Sequence, residues 1–157
     1  MLILRAFLAF LALPTVVAGL VPALIVRSGS PDHRTMVIGI TLLDAGGFLL
    51  LWCVRDFFVS GRGTLAPWDP PKHLVIVGLY RFVRNPMYLA VLTIVAGWSV
   101  LYRSGWLVLY AALLAVGFHL RVIWHEEPRL RRQFGAEWEA YAAVTKRWVP
   151  GWHWRNK

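Results

Sequence analysis

The 157-residue chain is 58% hydrophobic, and its formal charge is +9. That apolar content is above the norm for soluble domains and excludes a fold that could cover its own nonpolar surface with polar residues. The single cysteine, Cys53, excludes a disulfide framework and a cysteine metal site, and no metal-ligand spacing is present elsewhere.

Four apolar runs follow one another. Residues 6–26 are 21 residues without a charge, and the run continues past a possible signal cleavage site after Ala18, which predicts a retained helix. A polar turn, 27–35, leads to residues 36–54, which carry one charge, Asp44, ahead of Gly46-Gly47. An acid at mid-span is costly. It reads either as a polar contact near a site or as a hydrogen bond to a neighbouring helix beside a close-packing glycine pair. Residues 55–73 contain Gly61, Gly63, Pro67, Pro70 and Pro71 and read as a loop. Residues 86–102 and 105–118 are shorter runs separated only by Arg103 and Ser104, a pattern that predicts a tight antiparallel hairpin. The fourth helix can extend through Trp124, and Pro128 is expected to bend or restart it. Beyond Pro128, Leu130, Phe134, Trp138, Tyr141 and Val144 form one apolar stripe interrupted at Gly135, as in a helix lying at a membrane interface.

Two stretches carry the chemistry. The first, 78–88, reads Gly-Leu-Tyr-Arg-Phe-Val-Arg-Asn-Pro-Met-Tyr. Asn85 is in place to cap the helix that Pro86 begins, and a helix N-terminus suits an anion. Arg81 and Arg84 at lipid headgroups would be the plainer reading of the same spacing. The second, 126–135, reads Glu-Glu-Pro-Arg-Leu-Arg-Arg-Gln-Phe-Gly, with Trp138, Tyr141, Val144, Arg147 and Pro150 after it.

Together, over 72–150, the two stretches resemble the integral membrane methyltransferases typified by isoprenylcysteine carboxyl methyltransferase, with the phospholipid methyltransferases as relatives. The apolar runs predict an all-α membrane protein of about four transmembrane helices, the third and fourth forming the tight hairpin, with a C-terminal amphipathic helix at the interface. We expect one domain over 1–157, with a two-helix part, 1–71, ahead of the motif region 72–150. The resemblance implies S-adenosylmethionine as methyl donor. Carried over by position, the donor-binding residues fall on Lys72, His73, Leu74, Val75, Tyr80, Asn85, Pro86, Met87, Tyr88 and Glu126. His73 taken alone reads as a solvated loop histidine. Asn85 stands where the common form has histidine.

Carboxyl-methylating members place an arginine four residues before the second-motif glutamate. Here that residue is Val122. Arg121 is one residue off, about 100° around a regular helix, whereas His119 lies seven before Glu126 and on its face. Arg121 and His119 are the candidate catalytic residues. A π-bulge between Arg121 and Glu126 would bring Arg121 onto the face of Glu126. A regular helix, with Arg121 snorkelling toward headgroups, is the expectation.

Four spans divide the basic residues unequally. Arg5, Arg55, Arg62, Lys72, Arg81, Arg84, Arg121, Arg129, Arg131, Arg132, Lys146, Arg147, Arg155 and Lys157 share one side, and Arg27, Arg34 and Arg103 the other. Fourteen against three places both termini in the cytoplasm, in a bacterial inner membrane. The basic surplus then reflects topology and membrane-lipid contact, with no nucleic acid needed. The partner expected is a lipophilic or lipid acceptor. A non-catalytic lipid- or partner-binding membrane protein and a sterol-reductase-like relative are the alternatives.

Overall fold

The computed structural model describes residues 14–61 and 73–151. The described residues are 76% helical and contain no strand. Five helices follow in order: α1, Val16–Ile25; α2, Met36–Gly61; α3, Pro86–Leu101; α4, Gly105–Phe134; and α5, Ala136–Val144. Two are long and apolar enough to cross a membrane, over Met36–Phe57 and Gly105–Phe134, while α1 and α3 are shorter apolar helices.

The core forms where α1 to α4 meet. Ala18, Val91 and Val95 are buried there, with Leu50, Ile94, Leu114 and Phe118 against them. α2 and α3 approach closely because small residues stand at the crossing. A Cβ on Gly46 would lie 2.7 Å from Ile94, and one on Gly97 would lie 2.8 Å from the backbone nitrogen of Leu43. Such close approach lets backbone van der Waals contact hold the two helices together.

The two ends of this bundle differ. At one end, the loop after α1 is tied to the turn between α3 and α4. The amide of Asp32 donates to the carbonyl of Leu101 at 2.9 Å, the Thr35 hydroxyl donates to that of Val100 at 2.7 Å, and Arg103 pairs with Asp32 at 3.1 Å. At the other end, the segment from Gly78 to Asn85 meets the chain after α5. Arg84 N–H donates to the carbonyl of Lys146 at 2.9 Å, and Gly151 N–H to that of Phe82 at 2.8 Å.

Several expectations are corrected. α2 does not stop at Val54 but runs to Gly61, because Arg55 to Ser60 include no breaker; the rest of the expected loop, 62–72, lies outside the described residues. Asp44 is exposed on α2, so it makes neither of the interior contacts expected of it. Pro128 does not interrupt α4. It sits in the first turn of the segment Glu127–Phe134, directly after a π-helical turn, Val122–Glu126. There the Glu127 N–H reaches back five residues to the carbonyl of Val122. The widened turn shifts the hydrogen-bond register just before the residue that has no N–H to give. The expected apolar stripe is split in two at Gly135, whose φ of 51° ends α4. Trp138 and Tyr141 of α5 are buried, while Val144 is 41% exposed. Residues 6–13 of the run 6–26 lie outside the described residues, as does Lys72.

Candidate functional site

The two motifs meet at one end of the bundle. Tyr88, one turn into α3, donates its hydroxyl to Oε1 of Glu126, 38 residues away. Glu126 closes the π turn of α4. The ring of Tyr88 stacks on Phe118 of α4 with centroids 4.4 Å apart, so packing and the hydrogen bond hold one geometry.

The π turn decides what else reaches Glu126. It inserts one residue between Arg121 and Glu126, and Arg121 Nε donates to the same Oε1 at 3.0 Å. The regular helix expected from the sequence is therefore corrected: Arg121 stands on the glutamate's face. His119 takes a different partner, the Trp148 indole N–H, which donates to its Nδ1 at 3.0 Å. Val122, the position of the family's arginine, is buried.

The neighbouring carboxylate, Glu127, is a separate hub. It binds Arg147 in a bidentate pair, Nε to Oε1 at 2.7 Å and Nη2 to Oε2 at 2.8 Å, and its Oε1 is 3.0 Å from Nη1 of Arg84. Adjacent helical residues point about 100° apart. One glutamate therefore faces the Tyr88 side while the other clamps the chain after α5. Arg84 also lies over the Trp138 ring, 5.7 Å from its centroid. Burial lowers the pKa of Arg84 against the opposing pull of Glu127, whereas the hydrogen bonds to Glu127 raise that of Arg147.

Asn85 does not cap α3 with its side chain. Its Nδ2 donates to the carbonyl of Arg147 at 3.2 Å, so the residue fastens the tail instead. Pro86 is buried in the first turn of α3, and Met87 is half-buried. Tyr80 lies in a short 3-10 turn, Gly78–Arg81, and its carbonyl accepts the Tyr141 hydroxyl at 2.6 Å. The Tyr80 phenol is pushed well above its ordinary pKa, first by burial and then by the ionisable groups Cys53 and Tyr141, with smaller contributions from Glu126 and Asp56. Burial also raises that of Tyr141. Ahead of this turn, His73 is exposed, Leu74 half-buried and Val75 buried.

Beside the Tyr88–Glu126 pair is an open cleft of about 390 Å³, lined by Arg84, His119, Lys146, Arg147 and Trp148 together with apolar residues of 142–149. The tail's contribution to this cleft, and the role of Glu127, were missed in sequence. The available signal was the pair of adjacent glutamates facing an arginine-bearing tail. Among the described residues no cluster of histidine, cysteine, aspartate and glutamate could hold a metal ion.

A family model for phospholipid methyltransferases matches residues 35–137. No curated protein and no solved structure matches the chain.

Proposed function

The chain belongs to the phospholipid methyltransferase family, and we propose that it transfers a methyl group from S-adenosylmethionine to a lipophilic acceptor at the cytoplasmic face of a membrane. The observation that carries this reading is the hydrogen bond from Tyr88 to Glu126, which joins the two motifs at one point. Apolar helices and family membership make it a membrane protein. In our reading there are four spans, α3 and α4 form the hairpin, and the end holding Gly78–Asn85 faces the cytoplasm, where basic residues gather and the donor is supplied.

When bound, S-adenosylmethionine supplies an activated methyl group on a sulfonium. The residues present fit such a guest. Glu126 offers carboxylate oxygens to hydroxyl or ammonium donors, and the rings of Tyr80 and Tyr88 offer faces to a cation. Lys72, His73, Leu74, Val75, Asn85, Pro86 and Met87 complete the proposed donor site. Arg121 holds Glu126 in place with Nε, and in this reading the rest of its fork of donors serves the acceptor. That arrangement favours an acceptor with an anionic group near its reacting atom. Alignment and exclusion of water supply most of what methyl transfer requires, because the methyl carbon is already activated.

The test is to incubate detergent-solubilised protein with donor labelled in its methyl group and with lipid extracts. Label in a lipid-extractable product is expected. Binding of NADPH in place of the donor would favour the sterol-reductase-like reading, and binding of neither would favour a non-catalytic membrane protein.

A further inference from the structure

Asp56 stands near the end of α2, 5% exposed, on the same end of the bundle as the two motifs. Its Oδ1 accepts from Nη1 of Arg55 at 3.1 Å. Its Oδ2 is buried and has no partner among the described residues. Arg55 offsets little of this, since its side chain is 72% exposed and reaches around from the adjacent position. A buried acceptor left unpaired costs about 1–3 kcal/mol, more when charged. Such a group calls for an explanation, and a ligand that binds against it is one.

The direction of Oδ2 is defined by Gly78, which opens the first motif. A Cβ built on Gly78 would lie 1.8 Å from Oδ2, and its φ of 54° suits glycine. The carboxylate thus occupies the space that any side chain at 78 would need.

We propose that Asp56 is a further binding residue of the donor site, with Oδ2 accepting from the ammonium of the donor's amino-acid moiety. The assignment rests on the methyl-donor reading above. A single unpaired oxygen suits a compact cation. A ribose diol is better held by both oxygens of one carboxylate, and Oδ1 is already engaged by Arg55. An arriving ammonium supplies both the missing hydrogen bond and the missing countercharge.

Calorimetric titration with two probes tests this: S-adenosylhomocysteine, and its deaminated analogue, which keeps the adenosine, thioether and carboxylate. The wild-type chain should bind the amine-bearing probe about 10- to 100-fold more tightly, the range expected for a hydrogen bond to a charged group. Asp56→Asn should lose that preference and bind the deaminated analogue as the wild type does. A wild-type chain that binds both probes equally overturns the assignment, without needing the variant. So does a variant that keeps the preference, or one that loses both probes alike and thereby shows a structural role. A wild-type chain that binds neither probe overturns the donor reading itself, and this assignment with it.

Discussion

Glu127→Gln is the perturbation with the largest effect worked from the structure. The side chains of Glu127 and Arg84 are 15% and 11% exposed, so their 3.0 Å pair is largely dry. Removing one partner of a buried pair costs about 3–5 kcal/mol, mainly because the other charge is stranded. Arg84 is ill placed to bear it, since its Nε is already buried without a partner among the described residues. The Arg147 pair adds less, because Arg147 is 40% exposed and solvent screens it. Glutamine would also turn an amide N–H₂ toward one guanidinium. A loss of about 3 kcal/mol is expected, which for a chain of this size lowers the melting temperature by roughly 6–12 °C. Thermal unfolding in detergent measures it, and tryptic cleavage after Lys146 should accelerate as the tail loosens. Adding Arg84→Met should return part of the loss, since the stranded charge goes with it. A single variant melting within about 2 °C of wild type, or a double variant losing the full sum of the two single losses, would refute the reasoning.

Tyr141→Phe removes the 2.6 Å hydrogen bond to the Tyr80 carbonyl and should cost about 0.5–1.5 kcal/mol, read as a lower melting temperature. The pKa values of Tyr80 and Tyr141 are both raised on folding. Above the ordinary tyrosine value of 10.0 the folded chain therefore holds more protons than the unfolded one. Their contribution to stability is present below that pH and lost as pH rises beyond it, which a melting series at alkaline pH reads directly. In the methyl-transfer assay, Arg121→Lys should lose activity while retaining donor binding, and His119→Ala should keep more activity; the reverse order would place the acceptor against the histidine. Cysteines introduced at Ser30 and Asn156 should label from outside and from inside intact cells respectively, and outside labelling at 156 would contradict the four-span topology.

Much of this arrangement was legible in the sequence, because it depends on residue type at fixed spacing. Apolar runs gave the helices to within a few residues where Pro86 and Gly105 mark their starts. The meeting of Tyr88 with Glu126 followed from a chain that leaves and returns to one end. Less legible were features set by small energy differences. The π turn at Val122–Glu126 adds a single residue to a turn, and it depends on Pro128 and on the Tyr88–Glu126–Arg121 contacts formed only in the folded chain. Asn85 reads as a cap, yet its amide finds the Arg147 carbonyl, a partner 62 residues away. Asp56 carries no motif at all. Its meaning appears only when Gly78 is seen against its carboxylate.

The most direct measurement is calorimetric titration of S-adenosylmethionine into the detergent-solubilised protein, wild type against Glu126→Gln. Glutamine keeps the size of Glu126 and an oxygen for Tyr88, so the fold should persist. If donor binding is centred where the two motifs meet, the wild type binds and the variant binds more weakly by roughly 1.5–3 kcal/mol, the worth of a hydrogen bond to a charged group. Equal affinity in the two proteins, with matching melting curves, would contradict the account.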